Sequence, residues 1–262
     1  MKSTNKPPRN VEILVTTYFF VALFLGMMVY LCHFVVTNEH EIYNNSYNSR
    51  QEILLSQNYR GSIYSDGGEL LATTILNGDD EIREYPYKEL FSHIVGFSTH
   101  GRTGIEAQAN YYLINSNAPL SDKVVNDMSG DKNPGDDVYT TLNVALQEVA
   151  YKALGVYEGA IIVSEPSTGK ILAMVSKPDF DPNYVDGMWQ ELTEDTETGR
   201  LVNRATQGLY PPGSTFKIIT ALEYIRQNQD TYNNYKYQCN GRFKLGDFSI
   251  ECYHGANHGS IG

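Results

Sequence analysis

The chain has 262 residues, a net charge of −11 and no basic patch interleaved with aromatic residues. That length carries a membrane anchor plus one large domain or two small ones. The acidic balance excludes nucleic acid as a partner and says little else beyond solubility.

From Ile13 to Val36 the sequence is apolar except at Thr16, Thr17, Gly26 and His33. A run of this length spans a bilayer. It exceeds the roughly 7–15 residues of a signal-peptide core, and no small-x-small cleavage pattern follows it. Lys2, Lys6 and Arg9 precede it, and Glu39 and Glu41 follow. The positive-inside rule then expects a cytoplasmic tail over 1–10, a transmembrane anchor over 11–36, and everything after Thr37 outside. Cys32, inside the span, reads as apolar filling.

Residues 38–59 are polar and read as a stalk leading off the membrane. Asp66-Gly67-Gly68 lies between short apolar segments and predicts a hairpin. Lys88–Phe97 reads as mixed structure, and Glu106–Leu113 as a short helix. Asn133-Pro134-Gly135-Asp136-Asp137 is a turn-rich boundary, which divides a stalk and membrane-proximal domain over 37–135 from a second domain over 136–262. Val138–Leu142 reads as a strand. Asn143 then caps a helix to about Leu154, with Ala145, Leu146, Val149 and Leu154 on its apolar side. The β-branched runs Gly159–Ser164 and Lys170–Ser176 flank Pro166-Ser167-Thr168-Gly169 and predict an antiparallel hairpin in a buried sheet.

The most informative stretch is Tyr210-Pro211-Pro212-Gly213-Ser214-Thr215-Phe216-Lys217. Its Pro/Gly turn forces a sharp entry into a helix whose Ile218, Ile219, Leu222 and Ile225 predict one buried face. Ser214 sits at the helix start, where backbone N–H groups point outward, and Lys217 follows one turn later. A serine beside an amine that burial can desolvate is a nucleophile with its base. The same residues also read as an N-cap serine and a solvated lysine. Ser-x-x-Lys recurs at Ser3/Lys6, Ser129/Lys132 and Ser167/Lys170, but none of those opens a helix.

Cys239 and Cys252 fall on the outer side, where a disulfide is chemically allowed. With His254 and His258 they form Cys-x12-Cys-x-His-x3-His, which lacks the tight Cys-x2–4-Cys knuckle of structural zinc sites. Neither a metal nor a cofactor is expected. His33, His40, His93 and His100 show no ligand spacing.

Asn203-Arg204-Ala205 followed by Tyr210–Lys217 resembles the active-serine region of penicillin-binding proteins, among whose signatures is Ser-x-x-Lys. Arg60-Gly61-Ser62-Ile63-Tyr64-Ser65-Asp66-Gly67-Gly68-Glu69-Leu70-Leu71-Ala72 resembles the segment that follows the anchor in the class B, monofunctional members. Ser65, Asp66 and Gly67 depart from the Asp, Arg and Asn usual there. Arg83-Glu84-Tyr85-Pro86, His93-Ile94-Val95-Gly96-Phe97, Gly104-Ile105-Glu106 and Gly169–Ser176 with Asp181-Pro182-Asn183 continue the likeness in order. A glycosyltransferase domain of roughly 150–200 residues has no room between anchor and serine helix.

The resemblance implies an α+β protein: one transmembrane helix, a pedestal domain of the dimerisation type, then the first part of a serine transpeptidase domain of the β-lactamase-like kind. It implies a D,D-transpeptidase that cross-links peptidoglycan through an acyl-enzyme on Ser214, with Lys217 as base and the Ser214 backbone N–H as half of the oxyanion hole. Its partners would be stem peptides ending in D-alanyl-D-alanine, β-lactams that mimic them, the membrane, and wall-synthesis membrane proteins. The family's Ser-x-Asn and Lys-Thr/Ser-Gly elements do not follow Lys217, so a truncated and inactive piece of a larger protein is expected. The alternatives are a degenerate membrane-tethered scaffold and a serine β-lactamase relative.

Overall fold

A computed structural model describes residues 10–44, 50–78 and 80–261. The expected cytoplasmic tail falls almost wholly outside them. The chain divides into two compact units, residues 1–208 and 209–262.

The first unit opens with helix α1, Val11–Asn44, which is long and apolar enough over Val11–Asn38 to cross a membrane. The described residues of the polar stretch after it are mostly helical. α1 continues to Asn44, and α2 (Arg50–Gln57) leads directly into β1, Asn58–Tyr59. Strands β2 (Ile63–Tyr64) and β3 (Leu70–Asn77) form the expected hairpin, its turn closed by Ser65 N–H to Glu69 O at 2.9 Å. β4 (Asp80–Glu84) extends it on the far edge. Short helices follow: a 3-10 turn over Lys88–Phe91, α3 (Ser92–Val95), α4 (Gly104–Gln108), α5 (Asn110–Ile114) and the longer α6, Leu120–Ser129. The helix expected over Glu106–Leu113 is thus broken at Ala109.

The two-residue strands β5 (Asn133–Pro134) and β6 (Val138–Tyr139) run parallel to β1 and β2. The expected strand over Val138–Leu142 is therefore short, and it completes the sheet β4-β3-β2-β6 of the preceding region. Gly61 sits at this junction, where an added Cβ would lie 2.1 Å from the Asp136 carbonyl oxygen. Only glycine lets the two backbones approach so closely. Ile63, Leu71, Ala72, Tyr85, Phe91, Val95, Leu113 and Leu142 form the core beneath the sheet.

Beside that core lies a buried ion cluster. Arg60 and Arg83 both donate to the Glu106 carboxylate, Arg83 Nε at 2.8 Å, and the Tyr85 hydroxyl donates to Glu106 Oε1 at 3.3 Å. Burial alone would push the Glu106 carboxyl up, but the two guanidinium groups hold it below the ordinary carboxylate value.

Helix α7, Val144–Leu154, begins as expected: Asn143 Oδ1 accepts from the Leu146 N–H at 3.0 Å. Its buried face is Gln147 and Ala150, whereas Leu146 and Val149 are exposed. The reason lies in Gln147, whose side chain donates to Leu90 O and Met174 O and accepts from Met174 N–H. A buried amide satisfied three times holds the helix on that face against the apolar pattern. β7 (Gly159–Ser164) and β8 (Ile171–Lys177) form the expected antiparallel hairpin as a two-stranded sheet. α8, Val185–Glu194, packs Val185 and Leu192 with Phe97 and Phe180 in a second core cluster.

The second unit holds a 3-10 turn over Gly213–Thr215, helix α9 (Phe216–Gln227), and strands β9 (Tyr237–Cys239), β10 (Arg242–Leu245), β11 (Phe248–Glu251) and β12 (Gly259–Ile261). β10 pairs with β11 and β9 with β12, both antiparallel. Among the described residues of this unit, only Cys239 and Gly241 are buried.

Candidate active site

The approach to the serine is fixed inside the first unit. Ser176 Oγ, on β8, accepts from the Arg204 N–H at 2.9 Å and donates to Val202 O. Asn203 Nδ2 donates to the His93 carbonyl at 3.3 Å, and Gln207 N–H donates to Asn203 O at 2.8 Å. The residues Asn203-Arg204-Ala205, singled out in the sequence, therefore clamp this segment to β8 and α3. His93 itself is buried, with Nε2 3.1 Å from the Pro178 carbonyl; burial lowers its pKa. It is a packing residue, in keeping with its lack of ligand spacing.

Ser214 lies in the 3-10 turn Gly213–Thr215, and Lys217 is the second residue of α9. Helical backbone runs unbroken through Thr215 (φ −66°, ψ −26°) and Phe216 (φ −62°, ψ −20°), so Ser214 and Lys217 stand one turn apart on the same rise. The turn enters through Gly213 at φ +54°, a left-handed value that glycine adopts without penalty. Neither helical segment is closed by a side-chain cap, and the Thr215 hydroxyl donates back to Pro212 O at 2.5 Å. Ser214 is thus not spent as an N-cap.

The other Ser-x-x-Lys pairs differ. Ser129 ends α6, with left-handed Gly130 between it and Lys132, and Ser167/Lys170 span the tight β7–β8 turn. Ser3/Lys6 lie outside the described residues.

The expectation that α9 buries an apolar face is not met. Phe216, Ile218, Ile219 and Leu222 are each more than half exposed, and Ser214 and Lys217 are exposed too. The strands of this unit pair with one another and leave that face uncovered.

A second constellation comes from the Cys-x12-Cys-x-His-x3-His stretch, three of whose four side chains are brought together. The loop closed by β10 and β11 brings Cys252 back to Cys239, with Sγ–Sγ 3.5 Å, and His258 Nδ1 lies 3.4 Å from Cys239 Sγ. All three donor atoms fall within 4.8 Å of one another; His254 is not among them. Zn–S and Zn–N bonds of about 2.3 and 2.0 Å give tetrahedron edges of roughly 3.5–3.8 Å, so these three could hold a thiophilic ion. The absence of a Cys-x2–4-Cys knuckle carries no weight once a hairpin supplies the proximity. Both cysteines are free thiols. The His258 and Gly241 backbone N–H groups, then the His258 ring and the Cys252 thiol, bring the Cys239 thiol down to about 6.

Comparison with known proteins bears on the first constellation. A family described as penicillin binding protein transpeptidase domain matches residues 159–260, and one described as penicillin binding protein A dimerisation domain matches 60–138. The chain belongs to the class B penicillin-binding proteins. Within that family it is 34% identical, over 67% of its own length, to a peptidoglycan D,D-transpeptidase PbpA of Mycolicibacterium smegmatis, and it spans 40% of that relative. It is 32% identical, over 58% of its length, to a peptidoglycan D,D-transpeptidase MrdA of Escherichia coli, spanning 29% of it. The structure of penicillin-binding protein A from M. tuberculosis as an imipenem acyl-enzyme complex superposes with a TM-score of 0.67 at 30% identity, covering 79% of this chain and 52% of that one. The penicillin-binding protein fold read from the sequence, α+β with an N-terminal apolar helix, is the one observed.

Proposed function

We propose that the full-length protein is a membrane-anchored peptidoglycan D,D-transpeptidase and that Ser214 is its nucleophile. The observation that carries this is a Ser-x-x-Lys pair on unbroken helical backbone, entered through left-handed Gly213, inside a stretch matching a transpeptidase domain. In this reading the anchor is 11–36, the pedestal 37–135 and the transpeptidase domain begins at 136. Lys2, Lys6 and Arg9 keep the N-terminus in the cytoplasm and the rest outside.

Ser214 Oγ attacks the carbonyl of the penultimate D-alanine of a stem peptide while the Lys217 side chain, as general base, takes its proton. The Ser214 backbone N–H donates to the developing oxyanion. The terminal D-alanine leaves with the proton, and an amine of a neighbouring stem resolves the ester as a cross-link. β-Lactams acylate the same oxygen and stop there.

The test is peptide mapping of the full-length protein after reaction with a labelled penicillin. The adduct is expected on Ser214 and absent from Ser214→Ala. An adduct on another serine refutes the assignment. No adduct at all points to a non-catalytic scaffold.

A further inference from the structure

Helix α6 is built inside out. Leu120, Val124 and Met128 recur every four residues and are 77%, 48% and 84% exposed, with Val125 beside them at 61%. The half-buried residues are the polar ones: Lys123 donates to the Ser116 carbonyl at 2.6 Å, and Asn126 donates to Asn133 Oδ1 at 3.1 Å. A surface helix of a soluble domain places its apolar stripe inward and its polar face in water. Here the apolar side chains face out and need a cover.

The anchor helix shows what lies nearby. The apolar span Val11–Asn38 covers about 42 Å at 1.5 Å per residue, which matches a bilayer with its headgroup layers, about 40–45 Å. α1 is exposed from Val11 to Thr37 and first becomes half-buried at Asn38, where that span ends. It packs against α5. With α1 exposed up to Thr37, that contact lies at or beyond the outer end of the apolar span. α5 ends at Ile114, and Lys123 ties α6 back to Ser116, two residues later. The segment after α6 is held to the same base: Lys132 Nζ donates to the Leu55 carbonyl at 2.7 Å. On α5 itself Tyr112 is exposed, an aromatic with a polar tip of the kind enriched where hydrocarbon meets water.

We propose that α6 is an interfacial membrane helix, seating the pedestal on the outer leaflet through Leu120, Val124, Val125 and Met128. The occupant is lipid at the headgroup–acyl boundary. Asp122, Lys123 and Asp127 leave the helix close to neutral, so insertion is driven by apolar burial and does not need anionic lipid. Such seating fixes the height and tilt of everything built on the pedestal, which one transmembrane helix alone does not. The inference rests on the reading that α1 spans the membrane.

The test is photocrosslinking of the full-length protein in phosphatidylcholine vesicles that contain no other protein. A benzophenone amino acid replaces Val124, Met128, Asp122 or Leu25, one at a time. These four side chains are exposed or in the span, so the substitutions leave the fold intact. Lipid adducts are expected at Val124 and Met128 with yields comparable to Leu25, falling to background at Asp122. Adducts at Leu25 without any at Val124 or Met128 overturn the inference and leave the anchor standing. In that case, adducts to a protein at Val124 in native membranes would show the stripe to be a protein docking surface. No adducts at Leu25 overturn the anchor reading and the inference with it.

Discussion

The side chain of Asn183 pairs with the backbone of Tyr85 as a neighbouring strand would. Its Oδ1 accepts the Tyr85 N–H at 2.9 Å and its Nδ2 donates to the Tyr85 carbonyl at 3.0 Å, across 98 residues of sequence. Asp181 holds the amide in place, accepting from Asn183 Nδ2 at 2.7 Å. The link ties the segment after β8 to the end of β4, and Tyr85 is itself in the core cluster with Ile63, Leu113 and Leu142.

Asn183→Ala leaves the N–H of buried Tyr85 without a partner, while the Tyr85 carbonyl keeps only the Lys88 N–H at 3.1 Å. Each unsatisfied group costs about 1–3 kcal/mol, so chemical denaturation is expected to show a loss of at least ~1 kcal/mol. Asn183→Asp keeps the acceptor and loses the donor. It is expected to recover part of the loss at most. Unchanged midpoints for both variants would show that the link adds nothing to stability.

Glu106 is the single carboxylate between Arg60 and Arg83. Removing one partner of a buried pair typically costs about 3–5 kcal/mol, because the remaining charge is left uncompensated. Glu106→Gln leaves two buried guanidinium groups and is expected to lose stability on that scale. The pH dependence follows from the lowered folded-state value. An acid whose folded pKa lies below its unfolded value of about 4.3 stabilises the fold fully above that value and loses the contribution as pH falls through the folded one. Stability of the native protein should therefore drop on acidification below about pH 4, and this part of the drop should vanish in Glu106→Gln. Parallel pH–stability curves for the two proteins would contradict the cluster's role.

What the sequence made legible was local. Asn143 as a helix cap, the β7–β8 hairpin and the turn before Ser214 each depend on residues within about one turn of one another, and propensity governs them. The Arg60–Glu106 pair spans 46 residues and joins a β-turn approach to a short helix, so no period betrays it. Gln147 overrode the apolar pattern of α7 because three backbone partners reward a buried amide more than Leu146 and Val149 gain from contact. Cys239, Cys252 and His258 meet only because β10 and β11 fold back on each other. The Pro/Gly turn and the 3.6-residue period put Ser214 and Lys217 at the start of a helix, as observed, but the buried face that the same period predicts for α9 is not found.

The cysteine–histidine cluster makes a separate prediction. Two sulfurs and one imidazole nitrogen lie within 4.8 Å of one another, with the Cys239 thiol lowered to about 6 and the Cys252 thiol raised by its hydrogen bond to Cys239, a donor set suited to a thiophilic divalent ion. Zinc added to the reduced, metal-stripped full-length protein is expected to bind with release of protons. Cys239→Ser and His258→Ala should each weaken that binding. If instead no metal is taken up and mild oxidation links Cys239 to Cys252, the cluster is a redox pair.

Spacing cannot tell the Ser167/Lys170 pair from the Ser214/Lys217 pair; backbone geometry does. Ser167 and Lys170 stand on the β7–β8 turn, where Gly169 N–H donates to the Glu165 carbonyl at 2.8 Å and Gly169 takes φ +74°. That left-handed residue turns Lys170 away from the path a helix would follow. Ser214 and Lys217 stand on helical backbone with no such break between them. A general base contributes about 10²–10⁴-fold, so Lys217→Ala in the full-length protein should slow acylation by a labelled penicillin on that scale while the adduct stays on Ser214. Lys217→Arg should be as slow, since a guanidinium does not give up its proton to become a base. Lys170→Ala and Ser167→Ala should leave the rate within about twofold, as surface changes remote from the reacting atoms do. Stopped-flow acylation rates for the four variants decide it. Equal slowing by Lys170→Ala and Lys217→Ala would mean that neither lysine acts as the base and that helical geometry is not what activates the serine.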